Sequence, residues 1–151
     1  LILRTKPGQD NATPSGNGIA AIHLQRLGHL IGEPRYLAAA EATLKLFDEG
    51  ARRQPAGHSS LGRALAEYLA PPAIVIVRGP AIDLHAWSSA LAGVYAPSTL
   101  ILALETELAA LPEVMDKPAV TGVNAWVCRG VECLPPMNQV GDVRQVIGAA
   151  G

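Results

Sequence analysis

Apolar residues recur at helical spacing through the first half of the chain and then change period. Residues 1–13 are polar and hold Pro7, Gly8, Asp10 and Asn11, the make-up of a loop. The run Asp10-Asn11-Ala12-Thr13-Pro14-Ser15-Gly16-Asn17 opens a helix, with Ser15 or Asn17 placed to accept hydrogen bonds from the free amides of its first turn. Ala20, Leu24, Leu27 and Ile31 follow at helical spacing and predict one buried face. Gly32 ends that helix, and Pro34 sits where a second can start without needing its amide. In the second helix Leu37, Ala40, Leu44 and Phe47 take one side and Glu41, Lys45 and Asp48 the other, with Gly50 near its end. So short a connection predicts an antiparallel helical hairpin. A third helix from Ser59 to Leu69 carries Leu61, Leu65, Tyr68 and Leu69, and Ala70-Pro71-Pro72 stops it.

Beyond Pro72 the helical period is lost. Ala73-Ile74-Val75-Ile76-Val77 is a continuous β-branched run, as expected of a strand buried on both faces. Arg78-Gly79-Pro80 turns the chain, and Asp83 is placed to cap a helix carrying Ala86, Trp87, Ala90, Leu91 and Val94. Thr99-Leu100-Ile101-Leu102-Ala103-Leu104 is a second apolar strand, so the pattern predicts one βαβ unit with parallel strands. Glu105 to Pro118 reads equally as a short helix or an irregular connection. Val123 to Cys128 alternates as a third strand, and Val140 to Ile147 predicts a last short helix. The expected fold class is α followed by α/β, divided into a helical part over 1–72 and a small α/β part over 73–151.

Composition narrows the function classes. The 151 residues are 49% hydrophobic and 17% charged, enough to bury a core. Aromatics make up only 4%, so packing must rest on aliphatic side chains. Twelve basic and thirteen acidic residues are interspersed, with no basic run to follow a phosphate backbone, which argues against a nucleic-acid partner. No stretch approaches the roughly 18 apolar residues of a membrane span. The chain starts Leu1-Ile2-Leu3-Arg4 without an initiator Met or a signal-peptide pattern, so a partial product of a longer gene is expected. Two cysteines are too few for a disulfide-built secreted scaffold, which makes cytoplasm the expected compartment.

Three stretches in order resemble the spermatogenesis-associated protein 20 family of thioredoxin-domain-containing proteins. They are Asp10 to Asn17 at a helix entrance, Ala73 to Gly79 as Ala-Ile-Val-Ile-Val-Arg-Gly, and Ala125-Trp126-Val127-Cys128-Arg129-Gly130-Val131-Glu132-Cys133-Leu134-Pro135-Pro136. The last matches the family pattern of an aromatic before the first cysteine, four residues between cysteines, and prolines soon after the second. The resemblance implies full-length members with an N-terminal thioredoxin-like domain, an (α/α)6 toroid of the six-hairpin glycosidase and N-acylglucosamine 2-epimerase type, and a C-terminal tail. This chain would then supply the last toroid helices and the tail. Its implied partners are the upstream part of the same protein and a sugar ligand.

Candidate chemistry is sparse. Asp10, Ser15 and Asn17 gather polar groups where a toroid loop would rim a central cavity, and a carboxylate there could hold a sugar hydroxyl or serve as acid or base. The competing reading is helix capping around a turn that needs Gly16. Glycoside hydrolysis ordinarily takes two carboxylates, and only Asp10 is offered. Cys128 and Cys133 form C-x4-C, which leaves structural thiols, a redox-sensitive pair and a metal site open. If the strand reverses at Gly130 the two Cα atoms fall within the roughly 7 Å that a bridge tolerates. If it runs straight they lie roughly 16 Å apart. Proximity with reduced thiols is expected. His23, His29, His58 and His85 are scattered over predicted helices or their edges, and His23 and His29 point to different helix faces. Gly79-Pro80-Ala81 lacks the G-x-G-x-x-G fingerprint, so no cofactor is expected, and no metal set is read. Trp87 and Trp126 read as core.

Overall fold

The computed structural model describes residues 6–118, 120–130 and 132–149. The reading of the opening Leu1–Arg4 lies outside them. The chain divides into two compact units, Leu1–Ala70 and Pro71–Gly151.

The first unit is helical: α1 Gly16–Ile31, α2 Pro34–Arg53 and α3 Ser59–Leu69, with a single tight turn at Pro55–His58 before α3. Gly32 ends α1 in the left-handed region (φ 69°, ψ 35°), its amide donating to the Gly28 carbonyl. Glu33 caps α2 by accepting from the Arg35 amide, and Pro34 occupies the first turn. The face that α1 buries differs from the apolar spacing. It is Gly18, Ala21, Ile22, Gln25 and Gly28, whereas Ala20 and Leu27 are exposed and Leu24 and Ile31 only partly covered. Small residues explain the choice, because they let backbones approach. A Cβ on Gly18 would lie 2.7 Å from Ser60 Cβ, and one on Gly28 2.7 Å from Leu37 Cδ2. Close approach to α3 and α2 therefore outweighs covering the larger side chains. Ala21, Ile22 and Ala64 form the core, with Leu44 packed on it.

On α2 the stripe is as read, with Ala40 buried and Leu37, Leu44 and Phe47 partly covered. On α3 it is not. Ser60, Leu61, Ala64 and Glu67 are buried, while Leu65, Tyr68 and Leu69 are exposed. An apolar cavity of 250 Å³ opens between α2 and α3, floored by Leu44, Phe47, Leu61, Leu65 and Tyr68, with Glu41, Lys45 and Asp48 also lining it. The loop before α1 is seated on this unit through Gly8, where a Cβ would clash with the Phe47 ring.

The second unit comprises β1 Ala73–Gly79, α4 Ala81–Ala92, β2 Thr99–Glu105, β3 Asn124–Arg129, β4 Glu132–Cys133 and α5 Val140–Gly148. The four-stranded mixed sheet has the order β2-β1-β3-β4. β1 and β2 pair in parallel from Ala73↔Thr99 to Gly79↔Glu105, as the βαβ pattern predicts. β3 joins the other edge of β1 antiparallel, which places β1 at the interior and explains why all seven of its residues are buried. Ala73, Val75 and Val77 join Leu84 and Leu91 of α4, Ala125 and Val127 of β3, and Val143 and Ile147 of α5 in one core. β2 is an edge strand, so its apolar run is half open, with Ile101 and Ala103 exposed. α4 begins at Ala81 after Pro80, and Asp83 lies inside its first turn instead of capping it. Its charge still suits the amide-rich end of the helix. Between β2 and β3 the described residues form turns without a helix, which resolves the choice left open there. Trp126 is buried, and Trp87 packs partly covered against the core.

Candidate functional site

Asp10 is held by hydrogen bonds donated to its carboxylate. The Ser15 amide donates to Oδ1 at 2.7 Å, the Ser60 amide to Oδ2 at 2.7 Å, and the Ser60 hydroxyl to Oδ1 at 2.5 Å. Asp10 also donates its own amide to the Gly57 carbonyl at 2.8 Å. Ser15 caps α1 by accepting from the Gly18 amide at 3.0 Å, and its Oγ lies 3.2 Å from Ser60 Oγ. The carboxyl is held below its ordinary range first by the Ser60 hydroxyl and then by the two amides, with the nearby His58 adding to them. Asp10 thus ties the entry of α1 to the entry of α3, fifty residues away in sequence. Asn17 is turned aside, donating Nδ2 to the Pro7 carbonyl at 2.8 Å. Of the three residues proposed from sequence, Asp10 and Ser15 come together, and Ser60 completes them. Ser60 was not legible because its role depends on a long-range contact.

An open cavity of 460 Å³ adjoins this cluster, lined by Asp10, Asn11, Thr13, Ser59, Ser60 and Arg63 among others. It presents hydroxyls, one carboxylate and one guanidinium. The carboxylate is already occupied by its three donors, which makes it a poor proton carrier.

Deeper in the helical unit, Glu67 is 2% exposed and takes a two-pronged pair from Arg26, Nε to Oε2 at 2.9 Å and Nη2 to Oε1 at 2.5 Å. The same pairing raises the Arg26 pKa further. Arg63 approaches Glu67 Oε1 at 3.6 Å. Buried Gln25 donates to the carbonyls of Ala21 and Ala64, bridging α1 and α3. His58 is buried with Nδ1 2.9 Å from the Gln54 carbonyl, His29 is partly buried, and His23 and His85 are exposed. In the second unit Arg78 is 4% exposed and donates Nη2 to the carbonyls of Thr106 and Leu108, anchoring the turn after β2.

Cys128 and Cys133 lie directly opposite each other in the β3–β4 pair and are bonded, with their Cα atoms 4.0 Å apart. Free thiols were expected, and the structure has a cystine. The proximity expected from a reversal at Gly130 is present, with Gly130 at a left-handed φ of 58°. That turn sets Arg129 opposite Glu132 and hence the two cysteines opposite each other. The pair is asymmetric: Cys128 is 2% exposed, whereas Cys133 is exposed and accepts a hydrogen bond from Lys117 Nζ at 3.5 Å. Among the described residues no group of three or more His, Cys, Asp or Glu is arranged to hold a metal ion. Nor is any described helix long and apolar enough to cross a membrane.

A helical unit with an open apolar cavity, a mixed α/β unit, a capped carboxylate and a cross-strand cystine define an α-then-α/β chain. The chain is related to the spermatogenesis-associated protein 20 family, as its three motifs suggest. It is 25% identical to spermatogenesis-associated protein 20 of Homo sapiens over 160 aligned residues, covering 97% of the chain and 20% of the human protein. It is 34% identical to the protein of that name from Rattus norvegicus over 104 residues, covering 68% of the chain and 13% of the rat protein. The chain therefore spans a fifth or less of the length of these relatives. No family model matches the chain, and no solved structure matches it.

Proposed function

We propose that the helical unit is a piece of a larger helical assembly, the (α/α)6 toroid implied by the family resemblance, and that further helices of the longer protein cover its α2–α3 cavity. The observation that carries this reading is the cavity itself. Leu65, Tyr68 and Leu69 on α3 and Leu46 on α2 are exposed, although α3 stands at a spacing that would bury its leucines in a closed bundle. The relatives have most of their length outside the aligned region, which supplies the occupant. In this reading the unit contributes packing and a cavity rim to a carbohydrate-related protein, and the reacting groups come from the covering helices. Asp10 serves as a brace between helix entrances, since three donors already occupy its oxygens.

The test uses the full-length protein. Leu65→Glu should lower its melting temperature and expose dye-binding apolar surface, while an exposed α4 change, Ile82→Glu, should do neither. A full-length protein indifferent to Leu65→Glu would mean that nothing covers the cavity. For the carbohydrate reading, a sugar panel that gave neither binding nor turnover would remove it. Turnover abolished by Asp10→Asn with the fold intact would instead restore Asp10 as a reacting group. The alternative is a redox-linked accessory protein, favoured by one observation: the cysteine pair is bonded.

A further inference from the structure

We infer that Cys128 and Cys133 form a thiol–disulfide exchange site, with Cys133 the attacking sulfur and Cys128 the resolving one, acting on a disulfide carried by an extended peptide segment. This deepens the redox-linked alternative, and it stands apart from the covered-cavity reading of the helical unit.

Exchange needs one accessible thiolate and one sheltered partner that can reach it. The hairpin provides both. Cys133 is exposed and Cys128 is buried, and the register of β3 and β4 keeps them opposite each other through the cycle. Lys117 Nζ lies 3.5 Å from Cys133 Sγ, where an ammonium favours the thiolate once the bond is opened. Two observations speak for an extended substrate. β4 is the last strand in the order β2-β1-β3-β4, so among the described residues its outer edge pairs with no further strand and a peptide can add there. Beside the exposed Cys133 a cavity of 330 Å³ is lined by apolar Val127, Leu134 and Val146 and by Arg129 and Glu132, one charge of each sign.

The chemistry balances within the pair and its substrate. The Cys133 thiolate attacks one sulfur of the peptide disulfide, forming a mixed disulfide and expelling the other sulfur as a thiolate. That thiolate takes up a proton. The Cys128 thiol gives up its proton and attacks Cys133 Sγ, which closes the internal disulfide and releases the second peptide sulfur to be protonated in turn. The peptide disulfide is reduced to two thiols and the cysteine pair is oxidised to the bonded form seen here. A dithiol donor resets the site.

The experiment compares the pre-reduced wild-type chain with Cys128→Ser, Cys133→Ser and Lys117→Met, using intact-mass spectrometry after addition of oxidised glutathione or of a linear peptide joined to cysteamine by a disulfide. Cys128→Ser should accumulate a lasting adduct on Cys133, whereas wild type should pass to the internal disulfide. Cys133→Ser should react at least about tenfold more slowly than Cys128→Ser. Lys117→Met in the otherwise wild-type chain should slow the first step about two- to fivefold at neutral pH and leave it unchanged at alkaline pH, where the thiol ionises unaided. That comparison stands even if a serine variant fails to fold. Equal reactivity of the two single-cysteine variants, or a folded wild-type disulfide that resists excess dithiothreitol, would overturn the site and leave a structural cross-link. A peptide disulfide no faster than glutathione would overturn the substrate class.

Discussion

Replacing Asp10 should weaken the helical unit, and the size of the effect separates a brace from a spare surface carboxylate. Asp10→Ala removes the acceptor for the Ser60 amide and hydroxyl and for the Ser15 amide. A hydrogen bond to a charged acceptor contributes about 1.5–3 kcal/mol when sheltered, but Asp10 is partly exposed and water can replace it. Loss of a helix cap costs about 1 kcal/mol in comparable sites. A discounted total of about 1–2 kcal/mol follows, or a melting temperature lower by roughly 2–8 °C for a chain of this size. Thermal and urea unfolding followed by circular dichroism read it directly. Because the folded carboxyl sits below its ordinary value of 3.8, the stabilisation is present above that pH and is lost as pH falls through the lower folded value. The gap between wild type and Asp10→Ala should therefore close on acidification below about pH 4. In a double-mutant cycle Asp10→Ala and Ser60→Ala should couple by about 1 kcal/mol. Strict additivity of the two, or a single-variant effect within about 0.5 kcal/mol, would refute the brace.

Other consequences are independent of that one. Arg26→Ala removes the two-pronged partner of the nearly buried Glu67 carboxylate, leaving it Arg63 at 3.6 Å, and should cost about 2–4 kcal/mol, with much of the loss recovered in Arg26→Met/Glu67→Leu, as unfolding of the four species would record. Gly18→Ala should cost about 1–3 kcal/mol because its Cβ meets the fixed Ser60 side chain, and Gly28→Ala should cost a similar amount because its Cβ meets Leu37 Cγ at 2.9 Å and the Glu33 carbonyl at 3.3 Å. Burial pushes the His29 imidazole below its ordinary value of 6.5, so its contribution to stability is present above that pH and lost as pH falls through the folded value. His29→Gln should flatten that part of the stability–pH curve in denaturant titrations.

Punctuation in the sequence was more legible than faces. Gly32 and Pro34 fixed the junction of α1 and α2, because one residue must take a positive φ and the other needs no amide partner. The unbroken β-branched run of β1 likewise identified a strand whose every position is buried. The face of α1 was not legible. Periodicity counts apolar bulk, and that helix packs by close approach through Gly18, Ala21 and Gly28, residues whose value lies in being small. On α3 Leu65 and Leu69 are exposed although their spacing follows the pattern of a buried helix.

The two candidate sites differ for a related reason. Asp10 and Ser15 are five residues apart and announced themselves as a cap, but the group that gives Asp10 its role, Ser60, lies fifty residues on. No local pattern carries a contact of that range. The cysteine pair is the reverse case: its geometry is decided within six residues. A straight strand would hold the two sulfurs far apart, and a reversal brings them into register, so the outcome turns on whether position 130 accepts a left-handed φ. Glycine does, at φ 58° with nothing near its Cβ position, so Gly130→Ala would meet backbone strain without a clash. Such a variant should cost about 1 kcal/mol in the oxidised chain and shift the thiol–disulfide equilibrium toward the reduced form. An equilibrium against graded dithiothreitol measures that shift, and an unchanged midpoint would show that the strands, and not the turn, hold the cysteines together.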